Sequence, residues 1–240
     1  FAEGTIGSVS LSNGARLEAA DALVVGYSGT GSLDVANAGQ VACGMAVIGG
    51  MWELMEPGSG SATVSGNSSL SVAGDLFVGE SGAGGLTVSG RSWVGFNDVY
   101  VGFMPGVQGD VTLDGPISTM VGTNAFVGGY GRGSVTMTGT SELNLTGRCY
   151  LGYQPGGEGV LAMGDGTKVH ADELRLGGET VEGSLGWGLP VGLHRRDGRI
   201  EVDGQAWILC GRGFAIGQCG AIAAAPSGEL GLSLEAGGAF

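Results

Sequence analysis

"AFVGGYGRGSVTMTG", residues 125–139, decides the fold. Two short bursts of alternating apolar residues, one ending at Val127 and one running Val135 to Met137, flank a glycine-rich turn. Residues 76–90, "LFVGESGAGGLTVSG", repeat the same phrase. Glycine lacks a Cβ and lets the chain turn tightly, while alternation sends one side chain inward and the next outward. The phrase therefore predicts two tiny strands joined at a corner, used over and over.

Working outward, the glycine that closes the first strand recurs as Gly26, Gly49, Gly79, Gly102, Gly128, Gly152, Gly177 and Gly217. The residue before it is always apolar (Val25, Ile48, Val78, Val101, Val127, Leu151, Leu176, Ile216), and so is the third before it (Leu23, Ala46, Leu76, Val99, Ala125, Cys149, Leu174, Phe214). A second strand follows each corner as "GSLDV", "GSATV", "GGLTV", "GDVTL", "GSVTM", "GVLAM" and "GRIEV", apolar at its third and fifth positions. A weaker third strand completes the unit at 69–72, 142–145, 168–171 and 206–209. Three short strands in about 24 residues describe one triangular coil, so the expected fold is all-β, a single-stranded parallel β-helix (β-solenoid) of eight to nine coils. One domain spans 1–240, with insertions at 50–59, 178–197 and 218–227 on one corner.

The units "LVVGYSGTGSLDVANAG" (23–39), 76–90 and 125–139 resemble the glycine-rich repeats of autotransporter passengers and of PEP-CTERM-associated surface proteins. That resemblance implies export and a cell-surface or extracellular setting, and names no activity. Coils from Gly177 onward depart from the pattern.

Glycine is 53 of 240 residues, yet 42% are hydrophobic and only 6 are proline, which excludes a flexible linker or collagen. A net charge of −13 gives no electrostatic hold on a phosphate backbone, so nucleic acid is not an expected partner. No apolar run reaches the roughly 18 residues of a bilayer span. The chain starts at Phe1 without Met, and is read as a processed form or a fragment.

Candidate chemistry is sparse. Cys43 and Cys149 lie several coils apart and cannot pair within one molecule; only Cys210 and Cys219 are close enough in sequence to do so. His170 and His194 have no second ligand at metal spacing, so neither a metal nor a cofactor is expected. Parallel β-helices also carry polysaccharide lyases and hydrolases, which need converging carboxylates. Asp75, Asp98, Asn124 and Glu173 fall in one column, four before the anchor glycine, but Arg148 interrupts them and such residues are ordinary at corners. Thr63, Thr87, Thr112 and Thr136 form an outward ladder, with Ser61, Gly85, Asp110 and Ser134 beside it; a lone threonine column is common strand surface.

The most informative column lies two before the anchor and should point outward: Val24, Val47, Phe77, Tyr100, Phe126, Tyr150, Arg175, Ala215. Tyr27, Phe103 and Tyr153 follow the anchor, and the insertions add Trp52 and Trp187. A contiguous apolar edge marks a contact site. It would meet another protein, take a surface glycan by stacking, or lie under the chain's own loops.

The sequence thus suggests a non-enzymatic, exported structural protein that forms an extracellular filament, sheath or surface layer as a homo-oligomer or polymer. A carbohydrate-active enzyme and an adhesin passenger fragment are the alternatives. Residues 1–11 align with 25–35, placing Phe1 at the end of a first strand, and 228–240 align with 31–43, placing Phe240 in a third strand. Head-to-tail stacking of such ends is the expectation, giving an open fibre.

Overall fold

The computed structural model describes residues 5–52, 57–154 and 156–177 with their side chains, and beyond them the backbone of the strands between 181 and 234. The chain is an all-β parallel solenoid. Nine second strands stack into one sheet: Ile6–Leu11, Thr30–Val35, Ser59–Val64, Gly84–Ser89, Gln108–Asp114, Arg132–Met137, Glu158–Met163, Asp197–Val202 and Gly220–Ala224. All eight neighbouring pairs in it are parallel. Among the described residues no helix is long and apolar enough to cross a membrane.

The registers reproduce the sequence columns. Val25 pairs with Ile48, then Val78, Val101, Val127, Leu151, Leu176 and Ile216 in turn. From Val25 to Leu176 every member is buried, at most 7% exposed. The second-strand positions Leu33, Ala62, Leu86, Val111, Val135 and Leu161 face them from across the coil, none more than 4% exposed. Alternation thus builds one continuous apolar core along the axis.

The triangle is simpler than expected. Third and first strands belong to one sheet, because in several coils the chain runs from one into the next without a break, as in Arg16–Val25, Gln40–Ile48 and Lys168–Leu176. The bend is taken up by bulges, between Ala19 and Ala22 and between Ala171 and Glu173. The same joint carries Gly44, Gly74, Asn97 and Gly147 in other coils, and a Cβ on Gly44 would overlap the carbonyl oxygen of Asp21.

The other two corners are built differently. After the first strand, Gly128 takes φ +73°, and a Cβ on Gly133 would overlap the carbonyl oxygen of Val101 and the amide nitrogen of Gly128. Only bare backbone fits where the turn folds onto the preceding coil. Between second and third strands the chain passes through pairs of left-handed residues, Asn37–Ala38, Gly66–Asn67 and Gly90–Arg91. These turn amide groups along the axis: Ala38 N–H donates to Gly66 O at 2.9 Å and Asn67 N–H to Gly90 O at 3.0 Å.

One corner is strained. Ile117, β-branched and 61% exposed, holds φ +59°, the conformation that Asn67, Arg91 and Gly166 take at the same place in other coils. An L-residue pays about 1–2 kcal/mol there, and asparagine pays less. Ile117→Asn should therefore stabilise the protein by about 1 kcal/mol. A thermal midpoint that does not rise would show that the side chain packs usefully.

Two placements from the sequence need correction. Residues 220–224, read above as part of an insertion, form the ninth second strand, with Ile200 on Ile222 and Val202 on Ala224. Its alanine-rich sequence, Gly-Ala-Ile-Ala-Ala, disguised it. Consequently Glu229–Leu234 is a third strand on Gln205–Cys210, not a second strand. Phe240 lies outside the described residues, as do Phe1, Cys219 and Trp187. At the other end the alignment holds from Ile6 onward, with Gly7 on Gly31. The insertion at 178–197 contains an antiparallel hairpin, Val181–Gly183 on Gly192–His194, and ends as Asp197 opens a second strand. The insertion at 50–59 likewise ends as Ser59 enters a strand.

Candidate functional site: an aromatic ladder on the outer face

From Phe77 to Arg175 the first strands place the residues four and two before the anchor glycine on the outer face, whereas Val47, expected outward in the same column, is wholly buried. In-register pairing stacks Phe77, Tyr100, Phe126 and Tyr150 directly over one another. Parallel strands lie about 4.8 Å apart, close to the separation at which aromatic rings stack. Successive centroids are 4.8, 4.9 and 5.3 Å apart, with planes within 11°, 8° and 6° of parallel. The column ends under Arg175, whose guanidinium carbon lies 5.8 Å from the Tyr150 centroid, a cation–π contact.

A second tier leans on this stack from the glycine corner. Phe103 sits across Phe77 and Tyr100, at 5.6 and 5.4 Å and near-perpendicular. Tyr153 does the same to Phe126 at 4.6 Å and tilts against Tyr150 at 5.1 Å. Tyr130, which the sequence reading passed over, reaches Phe103 at 6.4 Å. Its signal was the "GGY" after the anchor, a tyrosine one place beyond the expected column. All seven rings are half-buried.

Tyr27 sits elsewhere, in the wall of a cavity of about 450 Å³ at the N-terminal end, with Leu17, Leu23 and Val24. Trp52 is 49% exposed, and its backbone N–H approaches the buried Glu80 carboxylate at 3.4 Å.

The stacking decides what the ladder can do. Each inner ring has a ring on both faces, so the column turns its edges outward. A sugar docks on a free aromatic face, and here the inner faces are taken. What remains is an apolar ridge of ring edges, shaped to lie against another surface.

Beside the ladder runs the column with the carboxylates. These are engaged coil to coil. Asn97 Nδ2 donates to Asp75 at 3.2 Å, Asn124 Nδ2 to Asp98 at 2.8 Å, and Arg148 Nε meets Glu173 at 3.2 Å. Asp75 and Asp98 are neighbours in the column, each accepting from an asparagine of the following coil, and Asn124 and Arg148 separate them from Glu173. Among the described residues no three His, Cys, Asp or Glu gather as a metal site. The threonines Thr63, Thr87, Thr112 and Thr136 are in register on the opposite sheet, ending against Ala162.

Cys43 and Cys149 are buried thiols outside any disulfide, and burial pushes the Cys43 thiol up to about 11. The sequence also concealed a column of buried hydroxyls, Ser68, Ser92, Ser118, Ser141 and Thr167, just before the third strands. Four of them donate to carbonyls, as Ser68 does to that of Ser65 at 2.6 Å and Thr167 to that of Gly164 at 2.7 Å, and Ser92 Oγ accepts from Ser68 N–H at 3.2 Å.

Burial pushes the Tyr100 phenol up to about 12, helped by the charges of Asp75 and Asp98 and by Tyr153. An unfolded tyrosine ionises near 10. The folded state thus keeps a proton that the unfolded chain releases, so this contribution is intact below about pH 10 and is lost as pH rises toward about 12. In an alkaline titration followed by phenolate absorbance, one group should ionise near 12 and vanish in Tyr100→Phe. A single wave near 10 for every tyrosine would contradict the packing.

Compared with known proteins, the chain matches no family model, no curated protein and no solved structure.

Proposed function

We propose that this chain is a structural β-solenoid of the cell exterior, which associates side by side through the aromatic ladder and end to end by stacking of coils. Such contacts build a filament, a sheath or a surface layer. The observation that carries this reading is the ladder itself. Four stacked rings and three flanking ones form an unbroken ridge on an outer face, far more than the core needs. The neighbouring acids serve the coil rather than a substrate. The exported setting rests on the glycine-rich repeat units at 23–39, 76–90 and 125–139.

The test is sedimentation velocity over a concentration series, with negative-stain microscopy of the same samples. Tyr100→Ser/Phe126→Ser should weaken lateral association at least about tenfold and lower stability by about 2 kcal/mol, since three stacked pairs are lost. Association unchanged in this variant would sink the lateral contact, and a wild-type protein that stays monomeric would sink the assembly.

A further inference from the structure

We propose that the lateral partner is a second copy of this chain packed antiparallel, with a two-fold axis along the strands between the Tyr100 and Phe126 coils. This rests on the reading above and adds its geometry. The argument is charge complementarity along the column beside the ladder. From coil to coil it reads Asp75, Asp98, Asn124, Arg148, alongside Phe77, Tyr100, Phe126 and Tyr150. The first three of this column are half-buried, and the Arg148 side chain is 56% exposed.

Reversing the axis about the midpoint brings opposites together. Asp75 faces the partner's Arg148, a carboxylate on a guanidinium. Asp98 faces the partner's Asn124, an acceptor on an amide that can donate. Both pairs occur twice across the two-fold. In the ladder Phe77 meets the partner's Tyr150, and Tyr100 meets the partner's Phe126, so ring edges run against ring edges. At the corner, Phe103 meets the partner's Gly129, where no side chain stands. Parallel packing of the same face lacks these pairs. Turning one copy to face the other with the axes parallel reverses the strands, so with ladder on ladder Asp75, Asp98 and Arg148 lie over the partner's glycine corner and meet no opposite charge. An isologous contact of this kind closes on itself as a pair, and end-to-end stacking would then extend pairs into a double filament.

Two experiments decide it. In Asp75→Cys/Arg148→Cys the two thiols of one chain lie three coils apart, about 14 Å at the usual strand spacing, too far to bridge. Oxidation of this variant should give covalent dimers, while the parent and either single variant should not. Separately, Asp75→Arg and Arg148→Asp should each weaken self-association at least about tenfold, and combining them should restore it to within about threefold. Circular dichroism confirms the fold of each. The antiparallel pairing is overturned if the double cysteine variant stays uncrosslinked, if Asp75→Cys alone crosslinks as well, or if single reversals do nothing or the double reversal fails to recover. If association is nonetheless lost in Tyr100→Ser/Phe126→Ser, the lateral reading survives that failure. A wild-type chain monomeric at every concentration removes both.

Discussion

Gly128→Ala is expected to cost about 4 kcal/mol or more, enough to unfold the coils around it. Two penalties act at once. The residue holds φ +73°, which an L-side chain resists, and its Cβ would overlap the carbonyl oxygen of Glu158 and crowd the amide of Gly159. Those atoms open the second strand of the next coil, which is fixed by its own ladder on Arg132–Met137. Backbone cannot swing aside as a flexible side chain can. Gly85 supplies the control. It lies in an extended strand, and a Cβ there meets nothing within 4 Å. Gly85→Ala should be neutral or gain up to about 1 kcal/mol, by restricting the unfolded chain. Urea unfolding followed by circular dichroism separates the two, and equal midpoints would refute this account of the corner.

The second large effect lies in the core. Phe96 is 7% exposed, and its ring covers Gly122 of the next coil, where a Cβ would overlap it. Elsewhere in that column stand the medium-sized Val72 and Leu145. One coil supplies a ring and the next supplies none, so the volume of two side chains comes from one. Phe96→Ala should cost about 3–5 kcal/mol through the void it leaves. Gly122→Leu alone should cost about 1–3 kcal/mol by overpacking. Together they should cost clearly less than the sum, by about 1 kcal/mol or more, because the leucine fills the void. Strict additivity in a double-mutant cycle would show that the two sites do not share space.

The columns of the solenoid were legible because a parallel stack demands the same residue class at the same place in every coil. Gly26 to Gly217 announce the corner, and Val25 to Leu176 announce the inward face. Three things were hidden. The joint between third and first strands is a bulge at Ala19 to Ala22 and Gly44, Gly74, Asn97 or Gly147 in other coils, a mixture that makes no regular column. The strand at 220–224 is three alanines around Ile222 after a glycine, and alanine reads as loop as readily as core. The hydroxyls from Ser68 to Thr167 are buried, against the usual habit of serine, since they answer backbone carbonyls or, at Ser92, an amide that only the folded corner brings near. As for the site, the aromatic column was visible as a pattern, but its meaning depended on ring orientation. Phe77, Tyr100, Phe126 and Tyr150 standing side by side would present faces to a ligand; stacked, they present edges. The sequence carries the spacing of residues and not the χ angles that choose between these.

The one-coil register also bears on how fast such a chain can fold. Val78 meets Val101, and Val127 meets Leu151, so each pairing closes a loop of one turn of the solenoid. Averaged over 240 residues, the contacts are separated by about a tenth of the chain, a ratio typical of helical bundles rather than of β-sandwiches. The entropic toll of bringing distant strands together is therefore small at every step. Once two adjacent turns have formed, a third adds to a ready edge, and order spreads along the axis like a zipper. The step expected to lag is the turn interrupted by residues 178–197, where the loop to be closed is longest. A chain of this build could acquire structure progressively as it emerges from a pore, without waiting for its far end.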